Sequence, residues 1–195
     1  MTQTAASERV TPWDELTVAP HGAGYSLNIV FVYQDATTRK WAREVYDRVA
    51  KLAGPETARA TWWRMSDLSE PGVLAGAVST AMRADVLVVA VRTGEGLPLP
   101  FYVWVNAWLP HRGPQTGALV ALLGIGGQRS PHQERVRDYL QMVARQCKLD
   151  FLPEERDLPE EREDSSGVPR RDSTAFDHPV LAAKGVQRVL ALRRG

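Results

Sequence analysis

The strongest constraint on this fold is a strict alternation running from Leu27 to Leu152. Short apolar, β-branched runs alternate there with longer segments whose apolar residues recur at helical spacing. The runs are 27–33 (LNIVFVY), 60–65 (ATWWRM), 85–91 (DVLVVAV), 117–123 (GALVALL) and the shorter 149–152 (LDFL). Runs without polar alternation mark strands buried on both faces, as in a parallel sheet. Between them, Trp41, Val45, Val49 and Leu52 form one helical stripe. Val73, Leu74, Ala77, Val78 and Ala81 form a second, and Val136, Tyr139, Leu140, Val143 and Cys147 another. Consecutive parallel strands need crossovers of about this length, which predicts a doubly wound α/β domain of five parallel strands in the order 2-1-3-4-5.

Helix boundaries carry their own signals. Asp35 or Thr37 can cap the first helix, and Gly54-Pro55 stops it. Ser69 before Glu70-Pro71 reads as the start of the second helix. Ser130-Pro131 with Gln133 three residues on reads as a capping box. Trp62 and Trp63 are adjacent on a strand, so they point to opposite faces and pack two separate layers. Cys147 falls on an inward helical face and reads as a structural thiol.

Outside the alternation the chain changes character. Residues 1–26 are rich in Thr, Ala, Pro and Gly and read as a flexible arm. From 154 to 164 there are seven acids and two arginines, so 153–177 reads as a solvated acidic linker. Residues 178–195 regain Val180, Leu181, Val186, Val189 and Leu190 and end basic. They read as a fifth helix or as a free amphipathic segment that binds a protein partner.

Several function classes are disfavoured by composition. The chain has 24 basic and 23 acidic residues, a formal charge of +1, and thus no global field for nucleic acid or anionic membrane. A single cysteine excludes an intrachain disulfide and a Cys-rich zinc site, and the four histidines lack metal-ligand spacing, so no metal is expected. The N-terminus lacks the apolar core of a secretory signal, and no window approaches the roughly 18–20 apolar residues of a membrane span. A cytoplasmic location is the expectation.

Ligands of such sheets bind beyond the carboxyl ends of the strands, where the strand order reverses. Three loops converge there: 34–38, 92–100 and 124–130. Gly124, Gly126 and Gly127 would let backbone approach a ligand, with Arg129 and Ser130 in reach. The same glycines serve equally as the strand-to-helix turn. In the first loop Thr37, Thr38 and Arg39 can hold a phosphate, but Asp35 sits where that phosphate would, and an N-cap role is the competing reading. The loop after Arg92 is longer than its connection needs. The helix that follows, from Phe101 to Leu109 (FYVWVNAWL), has Asn106 as its only polar residue. Something must cover its outer face, and a homodimer interface is the expected cover, with the N-terminal arm as the alternative.

With these residues in place, the layout resembles the flavodoxin-like superfamily and, within it, the NADPH-dependent FMN reductases. The resemblance spans the stretch from Ala84 to Leu140. It rests on Ala84-Asp85-Val86, Gly96-Leu97-Pro98, Asn106-Ala107-Trp108-Leu109 and the Gly-rich exit of the next strand. It implies FMN, with Thr37, Thr38 and Arg39 toward the phosphate and Gly94, Glu95, Gly126, Gly127 and Arg129 toward the ring, in a flavin-dependent reductase-like protein. The alternative is a non-catalytic interaction module of degenerate receiver type. Response-regulator receivers share the layout but require an acidic pair after the first strand and an Asp after the third. This chain offers Asp35 and Arg92 at those places.

Overall fold

The computed structural model describes residues 26–54, 57–113, 115–126 and 131–158. The expectations for the N-terminal arm, for the segment 178–195, and for Gly127, Arg129 and Ser130 lie outside these residues. The described chain runs β1 (Leu27–Tyr33), α1 (Ala36–Ala53), β2 (Ala58–Arg64), α2 (Pro71–Arg83), β3 (Val86–Arg92), α3 (Leu99–Trp108), β4 (Ala118–Ile125), α4 (Pro131–Gln146) and β5 (Asp150–Asp157). The sheet is all parallel in the order β2-β1-β3-β4-β5, as the alternation predicts. The fold is flavodoxin-like.

Two apolar layers flank the sheet. One gathers Val30, Val32, Leu87, Val89 and Leu119 with residues of α2, α3 and α4. The other gathers Ile29, Phe31, Val88, Val120 and Leu122 with Trp41, Ala42, Val45 and Val49 of α1. The central strands are apolar throughout because each contributes to both layers. The adjacent tryptophans divide as expected. Trp63 packs in the first layer and donates its indole N–H to Thr80 Oγ1 at 3.0 Å, while Trp62 stacks on Phe31 in the second, ring centroids 4.1 Å apart. Cys147 is buried in the first layer, and burial pushes its thiol pKa up.

Three local expectations are corrected. Ser69 does not cap α2; it closes a 3-10 turn over Met65–Ser69, and the helix begins at Pro71, whose ring presets the first helical φ. Gly124 lies within β4, where an added Cβ would stand 2.5 Å from Leu158 Cδ1; its missing side chain makes room for core packing. The third concerns the acidic stretch from 153 onward, whose first five residues belong to β5 rather than to a linker, paired with β4 as far as Ile125↔Asp157. Their charges are tied alternately to the two flanking helices. Glu155 faces Arg137 of α4 at 3.1 Å, and Arg156 faces Glu44 of α1 at 2.8 Å while lying over the Trp41 ring. Glu154 is buried and accepts from Trp41 Nε1 at 3.3 Å. Charged residues suit an edge strand, which must not recruit a further strand.

The apolar α3 finds most of its cover inside the molecule. Phe101, Trp104, Val105 and Trp108 are buried in the first layer, each burial contributing roughly 1.5–3 kcal/mol. Only Leu99 and Val103 are large apolar residues of this helix left exposed.

Candidate functional site

The strand order reverses between β1 and β3, and the loops leaving those strands meet at their carboxyl ends. Gln34 joins them. Its backbone N–H donates to Ala90 O at 3.1 Å, its Oε1 accepts the Arg92 N–H at 2.9 Å, and its Nε2 donates to Glu95 Oε2 at 2.6 Å. One side chain thus holds the two loops in fixed relation.

Asp35 stands beside it at the N-terminus of α1 and makes a full capping box with Thr38. Asp35 Oδ1 accepts the Thr38 N–H at 2.7 Å, and Thr38 Oγ1 accepts the Asp35 N–H at 2.9 Å. The second carboxylate oxygen of Asp35 accepts from Arg92 Nε at 2.6 Å, an ion pair whose side chains are only 24% and 12% exposed. Burial by itself would raise the Asp35 pKa. The hydrogen bonds from Thr38 and Arg92, with the guanidinium charge, outweigh it and hold the carboxyl below its ordinary value. Helix N-termini favour an anion because their first N–H groups are unsatisfied. Here the chain supplies that anion itself, with its own counter-ion.

The expected site residues divide accordingly. Thr38 is fully buried and engaged with Asp35, so it serves the cap. Thr37 is half-buried in the first turn, and Arg39 is exposed with its guanidinium 5.5 Å above the Tyr33 ring. Gly94 and Glu95 are exposed in the loop after β3, where Glu95 is held by Gln34. Gly126 is exposed beyond β4. Thr93, by contrast, is buried and ties its loop to β4, its N–H and Oγ1 both donating to Gly124 O at 2.9 Å. The bridging role of Gln34 was missed, since a glutamine after a strand carries no pattern that distinguishes it from a solvated loop residue. Among the described residues no group of His, Cys, Asp and Glu is placed to hold a metal ion, and no helix is long and apolar enough to cross a membrane.

No family model matches the sequence, and no curated protein matches it. Solved structures do match. A short-chain flavodoxin associated with a bacterial microcompartment superposes with a TM-score of 0.54 at 14% identity, over 87% of this chain and 99% of that one. The apo form of an NADH:FMN oxidoreductase gives 0.47 at 21% identity, over 68% and 74%. General stress protein 14 from Treponema denticola, solved in complex with FMN, gives 0.49 at 12% identity, over 85% and 97%. At these identities the likeness concerns the fold.

Proposed function

We propose that this chain is a flavodoxin-fold binding module without a flavin at the switch-point crevice, working through its surfaces rather than through a resident cofactor. The observation that carries the reading is the Asp35 carboxylate at the N-terminus of α1, capped onto Thr38 and paired with Arg92. A cofactor phosphate needs such N–H groups and a nearby cation, and here the Thr38 N–H and the Arg92 guanidinium are committed to a carboxylate. Bringing a phosphate dianion beside ionised Asp35 would also set like charges against each other in a half-buried place. The residues as placed therefore do not fit the phosphate of FMN.

The flavin reading draws its support from the fold likeness to a flavodoxin, and one titration separates the two. FMN is added to the purified chain while tryptophan fluorescence and visible absorbance are followed. The expected result is a colourless protein with no saturable response. Asp35→Ser keeps a capping side chain but removes the charge, and should be the variant in which any FMN or inorganic phosphate affinity emerges. A yellow wild-type protein, or one binding FMN stoichiometrically at micromolar concentration, overturns the proposal.

A further inference from the structure

The described surface holds a second feature that the crevice does not use. Along the flank of α1, beside the free edge of β2, lies a groove of about 600 Å³. It is lined by Arg39, Lys40, Arg43 and Arg64 together with Tyr33 and Trp62. Its acids, Glu44 and Asp47, already have partners: Glu44 pairs with Arg156 at 2.8 Å and Asp47 with Arg43 at 3.6 Å. No ion pair joins Arg39, Lys40 or Arg64 to any acid among the described residues. Among the described residues, three cations therefore face one groove without an acidic partner, in a chain whose net charge is only +1.

Geometry adds to the charge. Arg39 lies over Tyr33 at 5.5 Å, and Arg43 lies over Trp62 at 5.8 Å and over Tyr46 at 5.6 Å. A guanidinium within about 6 Å of an aromatic face is attracted to the ring, and its planar fork of N–H donors matches the geometry of a carboxylate. The groove runs from Ala36 to Asp47, about 16 Å along the helix axis at 1.5 Å per residue, which matches about five residues of extended peptide. β2 pairs only with β1 among the described strands, so its outer edge offers backbone groups to an added strand beside Trp62 and Arg64.

We infer that this groove takes an acidic, extended peptide segment of a partner protein, laid along β2 with its carboxylates on Arg39, Lys40 and Arg64. The inference rests on the binding-module reading and names the kind of partner. Nucleic acid is the weaker match. Single strands bind by stacking bases on open aromatic faces, and here Trp62 lies between Phe31 and Arg43 while Arg39 covers Tyr33.

The test is fluorescence anisotropy of fluorescein-labelled hexaglutamate titrated with the full chain. Saturable binding that weakens with salt is expected. Arg39→Glu and Arg64→Glu should each weaken it about tenfold, because reversal turns an attraction into a repulsion at the same site. Arg145→Glu makes the same charge change at an exposed position in the last turn of α4 and should alter binding by less than about twofold. Three results overturn the inference: no saturable binding, equal weakening by Arg145→Glu, or tighter binding of a six-nucleotide oligothymidylate lost in the groove variants. An FMN titration of the same samples keeps the two readings apart, since flavin binding would sink the module reading without touching the peptide result.

Discussion

Removal of the Asp35 carboxylate is the perturbation whose cost can be worked from the structure. Asp35→Ala abolishes the cap on Thr38, worth about 1 kcal/mol. It also takes the carboxylate from Arg92. Breaking a fully buried pair costs about 3–5 kcal/mol and losing an exposed one about 0.2–1 kcal/mol. With side chains 24% and 12% exposed, this pair falls between, at about 2 kcal/mol. Asp35→Ala should therefore lose about 3 kcal/mol and Asp35→Asn, which still caps, about 2 kcal/mol. Urea unfolding followed by tryptophan fluorescence measures both. The pH dependence follows from the lowered pKa. Asp35 is easier to ionise folded than unfolded, so its contribution is complete above the unfolded value near 3.9 and is lost as pH falls through the lower folded value. The advantage of wild type over Asp35→Asn should thus hold at neutral pH and shrink below about pH 4. An Asp35→Ala protein within about 0.5 kcal/mol of wild type would refute the argument, because the surface alone tolerates changes of that size.

Other expectations follow from single positions. A Cβ at Gly117 would stand 2.5 Å from the Asp85 backbone oxygen, so Gly117→Ala should lower the urea midpoint by an amount worth about 1–3 kcal/mol. Tyr139 has its pKa pushed up to about 12, by burial first and by Tyr102 second, so its phenolate absorbance should appear later than that of a free tyrosine, and Tyr102→Phe should bring it forward. Because the folded pKa is the higher one, that contribution to stability is whole below about pH 10 and is lost as pH rises toward the folded value. Pairing of two copies through α3, proposed from its composition, requires Leu99 and Val103 at the contact. Val103→Glu should then halve the mass seen by sedimentation, and equal masses refute the pairing.

The fold was legible where chemistry and structure share a period. β1, β3 and β4 face apolar layers on both sides, so their residues spell out burial without reference to any partner. The Asp35 cap was legible as well, because an Asp three residues before a Thr at a strand exit satisfies a local geometry. β5 was cut short at Leu152 because its charges carry meaning only once α1 and α4 lie on opposite sides of it. How much of α3 the molecule covers by itself was not legible for a related reason: composition tells how apolar a helix is, but not how much of its circumference the parent sheet and neighbouring helices reach. Gln34 bonds to residues 58 and 61 positions distant, the groove beside β2 depends on juxtaposed elements, and no window of sequence contains either.

The alternate tethering of β5 also guards its alignment. In a parallel pair the backbone bonds repeat at every step, so an edge strand of modest hydrophobicity can slide along its neighbour with little backbone penalty. Sliding by one residue exchanges the faces of every side chain. For β5, one direction brings Glu155 to the place of Arg156 and the other brings Asp157 there, so either error sets an acid against Glu44. The strand thus carries a proofreading mark in its charges, and misaligned versions are rejected by repulsion rather than by a poorer fit.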